Sequence, residues 1–383
     1  MKKFCLMPSL LLLGLLLGGC SVFDGQYVRV TPHAVQSSQG QQESAGIRTY
    51  AELRAALTEM TAAGRESMVL LTQDYPEPLL EENMESAKLY ACTFDPIGAY
   101  AVEDLTYEIG TKGGQTAVAV TISYRHSQSD IRGIVELESA DELEASVLQA
   151  MEQIESRHVV LVHGYKDTDF GQMVQKLAQA NPKSIMECPQ VTADAYGRGA
   201  TRLVELTFSY ENSKDVLQQM QAQVRNVFDS ASLYVSGDGE DHQKLSQLYS
   251  FLMDRFNYTM DTSITPSYSL LRHGVGDSRA FAMVFSAMCR DAGLECLMVT
   301  GTKNAEPWTW NIVLDGERYY HLDLTQCKED GFFHERTDDA MSGYVWDYSR
   351  FPACEEPEQQ PEETQPEEPT VPETTADETL PEA

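Results

Sequence analysis

Positive charge is scarce in this chain. Its 28 Lys and Arg face 59 Asp and Glu, a formal net charge of −31 over 383 residues. A surface of that sign gains nothing from the counterion release that drives nucleic-acid binding, nor from an anionic lipid face, so both are disfavoured as partners. Long apolar runs are also missing: Leu10 to Leu17, behind the basic Met1-Lys2-Lys3, is too short to cross a bilayer and reads as a secretory h-region. Cysteines are present, but none forms a CxxC pair or a zinc spacing with histidine, so no metal site and no cofactor is expected. Tryptophan is rare, with three in the chain. Two of them, Trp308 and Trp310, lie two residues apart.

The apolar run ends in Leu17-Gly18-Gly19-Cys20. Small residues ahead of a cysteine resemble the lipobox of bacterial lipoproteins, and the resemblance implies removal of residues 1–19 and diacylation of Cys20. The expected location is the outer face of the bacterial cytoplasmic membrane, with the lipid on Cys20 as the membrane partner. Residues 20–46, rich in Gln, Ser and Gly, read as a flexible linker. From Cys354 to Ala383 the chain is Glu, Pro, Thr and Gln, with eleven acidic residues and no Lys or Arg. Such a segment buries too little apolar surface to offset its ordering entropy, so a disordered acidic tail is expected over 354–383.

Between these ends the first half repeats. "VAVTISY" (118–124) and "VELTFSY" (204–210) lie 86 residues apart, with the alternation of half-buried strands. "VLLTQDY" (69–75) and "VVLVHGY" (159–165) lie 90 apart, as do the capping-box patterns Thr49-Tyr50-Ala51-Glu52 and Ser139-Ala140-Asp141-Glu142. Each unit reads helix, strand, helix, strand, strand, which gives two copies of a small α/β module over 47–137 and 138–230. Neither copy shows a catalytic constellation. Cys92 and Cys188 sit in matching settings and read as small buried hydrophobes. His163, at a strand end, reads as a surface or capping residue.

The third region, 238–353, is the informative one. A helix is expected from Asp241 to Phe256. "GVGDSRAFAMVFSAMC" (274–289) then opens a second, with Phe281, Phe285, Met288 and Ala292 on one apolar row and Ala280, Val284 and Ala287 on another. Only Arg279, Ser286 and Arg290 form a polar stripe, so the helix is mostly buried, and Gly293 follows as its C-terminal stop. A helix N-terminus lowers a thiol pKa and stabilises an oxyanion. The residue held there is Ser278. Strands follow near 294–301, 308–314 and 317–325, with Asp315-Gly316 as a two-residue hairpin turn. That register sets Trp308 opposite Asp323, Trp310 opposite His321 and Ile312 opposite Tyr319 on one face.

"GDSRAFAMVFSAMCRDAGLEC", "WTWNIVLDG" and "RYYHLDLT" resemble the transglutaminase-like core of the papain-like cysteine hydrolase superfamily, and "GYVWDYSRFP" (343–352) is similar to the closing segment of bacterial lipoproteins bearing it. The resemblance implies an α+β fold overall: the duplicated α/β module, then a papain-like, transglutaminase-type domain. It also implies that the nucleophilic cysteine, the histidine base and the orienting carboxylate of active relatives fall at Ser278, Trp308 and Asp323. Only the carboxylate is kept. A serine hydroxyl needs an adjacent base, and an indole N–H donates but accepts no proton near neutral pH. His321 lies about 7 Å along the strand from the place a base would occupy. Cys289 lies about 16 Å along the helix from Ser278 and reads as core.

The expected protein is therefore a surface lipoprotein with a catalytically degenerate transglutaminase-like domain. Trp308, Trp310 and His321 are its candidate binding residues, for cell-wall peptide, glycan or an envelope protein. Two alternatives stand beside this reading: a peptidase or acyl-transfer hydrolase using Ser278, and a structural cap that binds nothing.

Overall fold

The two copies share a three-strand antiparallel core of the same strand order. The computed structural model describes residues 46–72, 74–259 and 266–355. The leader, the lipidation candidate Cys20, nearly all of the linker and residues 356–383 lie outside the described residues. In the first copy, α1 (Tyr50–Ala62) starts at a true capping box: Thr49 Oγ1 accepts from Glu52 N, and the Glu52 carboxylate accepts from Thr49 N. Next come β1 (Ser67–Leu71), α2 (Glu77–Leu89), a π-helical turn at Tyr90–Phe94, α3 (Pro96–Ala101), β2 (Val102–Lys112) and β3 (Gln115–Tyr124). The strands pair antiparallel in the order β1-β3-β2. Leu53, Leu57, Met60, Leu70, Met84 and Val118 are buried between helices and sheet.

A short α4 (Gln128–Arg132) and β4 (Val135–Leu137) lead into the second copy: α5 (Leu143–Glu152), β5 (Arg157–Val162), α6 (Phe170–Ala180), β6 (Gln190–Tyr196) and β7 (Arg202–Ser209). Its strands run β4-β5-β7-β6. The last three match β1-β3-β2, and β4 adds a parallel edge that the first copy lacks. The second capping box does not form. Ser139 makes no side-chain cap bond, because Ala140–Glu142 tightens into a 3-10 turn and the α-helix begins only at Leu143. The two cysteines also part company: Cys92 is half-buried, whereas Cys188 is exposed.

Two helices, α7 (Lys214–Tyr234) and α8 (Asp241–Arg255), bridge to the third region. There follow β8 (Asn257–Tyr258), α9 (Pro266–His273), β9 (Val275–Gly276), α10 (Ser278–Asp291), β10 (Cys296–Lys303), β11 (Glu306–Asp315), β12 (Arg318–Leu322), α11 (Leu324–Asp330) and β13 (Tyr344–Val345). The expected apolar rows of α10 are buried, with Phe281, Val284, Phe285 and Cys289 fully so, and the chain leaves the helix through Gly293 in the left-handed region. Around α10 lies the largest core, drawing on α7, α8 and α9 and also on Ile154 and Met186 of the second copy. Each fully buried Leu or Phe there contributes about 1.5–3 kcal/mol. No helix among the described residues is long and apolar enough to cross a membrane.

The four-stranded sheet of this region runs β12-β11-β10-β13, and its hairpin departs from the expected register. Asp315 pairs with Arg318, so the turn is centred on Gly316-Glu317 rather than Asp315-Gly316. Gly316, at φ 61°, takes the left-handed position at little steric cost. The slip is two residues, so every side chain keeps its face while its partner changes. Ile312 now faces His321, and Leu314 faces Tyr319. The last strand also ends early, because Asp323 caps α11 instead of continuing β12. Finally, Cys354 does not behave as tail: it is fully buried beside Trp310, Met341 and Trp346, and its N–H donates to Asp338 Oδ2 at 3.0 Å.

Candidate functional site

The site is assembled from the first turn of α10, the start of β11 and the junction of β12 with α11. Asp277 caps α10, accepting from Ala280 N at 2.8 Å, which places Ser278 at the first helical position. Gly276 leaves room for this approach, since a Cβ there would meet Ala280 Cβ at 2.8 Å and Leu270 Cβ at 3.1 Å. Ser278 is 7% exposed, and its hydroxyl accepts a long bond from Thr309 N, 3.3 Å. No histidine among the described residues bonds to it. His126, His158, His163, His242, His321 and His334 are engaged elsewhere, and His273 packs edge-on against Tyr268.

Asp323 is the hub. Its Oδ1 accepts from Thr325 N, Thr325 Oγ1 and Gln326 N at 3.1, 2.7 and 3.2 Å, while its Oδ2 accepts from Trp308 Nε1 at 2.8 Å and from the Tyr344 hydroxyl at 2.7 Å. Lys303 Nζ stands 3.6 Å from Oδ2, and the carboxylate is 3% exposed. Buried anions persist where donors and a counter-charge surround them, as here. Burial, with the Asp323 charge adding to it, pushes the Tyr344 hydroxyl well above its ordinary range, which keeps it a donor.

Trp308 thus does half of a histidine's work. It donates to the carboxylate, as the ring of a base would, but presents nothing that accepts a proton from Ser278. Its ring is half-buried. Lys303 lies over it at 4.6 Å from the centroid and Tyr258 stands 5.8 Å away, so an aromatic ring and a cation flank the indole. A lysine over an indole is a cation–π contact of about 0.5–2 kcal/mol.

The other two sequence candidates do not join this cluster. Trp310 is buried, and its Nε1–H donates to His321 Nδ1 at 2.9 Å. His321 is inaccessible to solvent and packs edge-on against Trp346, with its Nε2 2.8 Å from Asp338 Oδ1. Neither side chain is available to a ligand, which removes both from the binding role expected of them. His321, Asp338 and Cys354 do place an imidazole, a carboxylate and a thiol within 4.8 Å. However, the bond from Trp310 fixes the neutral ring's proton on Nε2, so the nitrogen facing the trio has no lone pair for a metal. Burial lowers the His321 pKa, although Asp338 opposes the shift, and burial pushes the Cys354 thiol up to about 12.

Sequence reasoning missed Lys303, Tyr258 and Tyr344. Tyr344 lies inside the closing "GYVWDYSRFP" segment, which carried a signal of membership but not of position. Lys303 and Tyr258 carried no signal.

Residues 229–324 match the family model described as the transglutaminase-like superfamily, so the chain carries a transglutaminase-like domain. Among solved structures the chain is similar to a TGase (10% identity, 72% of this chain and 74% of that one, TM-score 0.27). It is also similar to a candidate cysteine protease from Cytophaga hutchinsonii (12% identity, 36% and 62%, TM-score 0.24). A third is a candidate protease from Parabacteroides distasonis (8% identity, 55% and 47%, TM-score 0.22). At these scores the likeness carries no statement about chemistry. None of the curated proteins matches the chain.

Proposed function

We propose that the protein is a non-catalytic binding module of the bacterial cell envelope, tethered through lipid on Cys20, in which the transglutaminase-like groove recognises a ligand without cleaving it. One observation carries the reading: the indole N–H of Trp308 donates to Asp323 at 2.8 Å, so a donor occupies the place of the base beside Ser278. A serine without an acceptor for its proton is a poor nucleophile, and general-base assistance alone accounts for about 10²–10⁴ in rate. What the groove keeps is a recognition surface. The half-buried face of Trp308, with Tyr258 beside it and Lys303 above, suits the ring of a sugar or the side chain of a wall peptide.

Two measurements test this. Purified protein is expected to co-sediment with isolated cell-wall sacculi, and Trp308→Ala to abolish that binding while the melting curve stays cooperative. Covalent labelling of Ser278 by a fluorophosphonate, lost in Ser278→Ala, would instead establish a working nucleophile and end the proposal. The tether is read out separately, by incorporation of an alkyne fatty acid that disappears in Cys20→Ala.

The cap reading draws support from a different observation. The core around α10 includes Ile154 and Met186, Lys183 pairs with Asp291 at 2.5 Å, and Arg290 donates to the Ala180 carbonyl at 2.7 Å. The third region thus buries part of the second copy as well as presenting its own groove. Sacculus binding that survives Trp308→Ala would favour this alternative.

A further inference from the structure

A second polar cluster lies apart from Ser278, where the first turn of α8, the end of β11 and the segment after α11 meet. His242 Nδ1 is 2.7 Å from Asp315 Oδ2 and 3.5 Å from Glu335 Oε2, and one ligand atom from each of the three lies within 4.8 Å of the others. The imidazole is braced by Phe333, edge-on at 5.4 Å, and Phe333 is in turn backed by Tyr249 at 5.5 Å. The Glu335 side chain is only 11% exposed, and its Oε1 is buried with no hydrogen-bond partner among the described residues. A buried carboxylate oxygen without a donor calls for an explanation, an ion being one of the ordinary ones.

A proton on His242 does not supply that explanation. It serves Asp315 Oδ2 at 2.7 Å and stands 3.5 Å from Glu335 Oε2, but leaves Glu335 Oε1 without a donor. A dication suits the cluster better, because two carboxylates and a neutral imidazole balance its charge. A tetrahedral zinc ion about 2.0–2.1 Å from nitrogen and oxygen ligands keeps those atoms about 3.3 Å apart, and the observed 2.7 and 3.5 Å bracket that spacing. His242 is 59% exposed, Asp315 18% and Glu335 11%, so one side stays open to water for the fourth position. The donor set of one imidazole and two carboxylates favours zinc or manganese over calcium, which prefers six or more oxygens. No local spacing could reveal the site, since its ligands are 73 and 20 residues apart in the chain.

We infer that His242, Asp315 and Glu335 form a divalent-metal site, suited to zinc or manganese, that clamps the β11–β12 turn to the start of α8. The test uses the full, tag-free chain, stripped with a chelator, titrated with zinc chloride by calorimetry and assayed for metal after gel filtration. About one zinc per chain is expected, together with a rise in melting temperature. His242→Ala and Glu335→Gln are each expected to weaken uptake by about tenfold or more, at least the loss seen when only an outer partner of a metal ligand is removed. His334→Ala, a histidine outside the cluster, is expected to bind zinc as the parent does. His242→Ala changes a largely exposed side chain, so it keeps the test open should Glu335→Gln fold poorly. Absence of uptake would overturn the inference, and so would uptake equal in parent and both ligand variants, which would put the ion elsewhere, such as on the acidic tail.

Discussion

Trp308 and Trp310 stand two residues apart on one face of β11, each with its indole N–H bonded, and they differ in how far the ring is buried. Trp310 gives its hydrogen to a histidine sealed beneath Trp346 and Asp338. Trp308 gives its hydrogen to the buried Asp323 carboxylate and keeps part of its ring in the open. The same residue type in the same strand therefore serves the interior in one case and a surface in the other. Both acceptors are buried, so what separates the two is the burial of the indole itself, complete for Trp310 and partial for Trp308.

That contrast can be broken by experiment. The largest effect is expected from Trp310→Ala, which deletes a buried indole and strands His321, at about 3–5 kcal/mol in urea unfolding. A loss under about 1 kcal/mol would show the second core to be far looser than its packing implies. Asp323→Ala comes next, at about 3 kcal/mol, because Trp308, Tyr344 and the first turn of α11 all lose their acceptor inside the protein. Asp323→Asn, which keeps one carbonyl oxygen, should cost clearly less, and equal losses would mean that charge rather than bonding matters. Trp308→Ala should cost only about 1–2 kcal/mol while removing binding to sacculi, so the two tryptophans separate if stability and binding are measured side by side.

A gentler probe is pH. His321 has its pKa lowered by burial below the ordinary 6.5, so the unfolded chain takes up a proton that the folded chain refuses. The stability this represents is present above about pH 6.5 and is lost as the pH falls through the lowered folded value. Melting curves between pH 7.5 and 5 are expected to show that loss, and to show less of it in His321→Gln. The smallest effect is expected from Ser278→Ala, within about 1 kcal/mol, since its one bond is 3.3 Å long.

Much of this arrangement was legible from the residues alone. The 3.6-residue rows of 278–291 located α10 and its buried faces, and the alternation in "VAVTISY" and "VELTFSY" located β3 and β7 in equivalent sheets. Because the hairpin slip was by two residues, the pairing of Trp308 with Asp323 survived as a side-chain bond even though the backbone register did not. What stayed hidden depended on long-range closure. Tyr344 reaches Asp323 from 21 residues away, Asp338 meets His321 from 17 residues away, Cys354 joins them from a segment that looked like tail, and Ser139 lost its capping role to a 3-10 turn that propensity does not specify. Composition placed Cys354 with the acidic residues that follow it, whereas its side chain is fully buried.

The crowding of donors around Asp323 limits what a substitution at 308 can do. Even with the indole gone, Tyr344, Thr325 and Gln326 would still hold the carboxylate. In a Trp308→His, Ser278→Cys double variant the imidazole would therefore compete with a phenol for the same oxygen. Such a variant should yield a thiol that alkylates slowly, and pairing the two exchanges with Tyr344→Phe should quicken it.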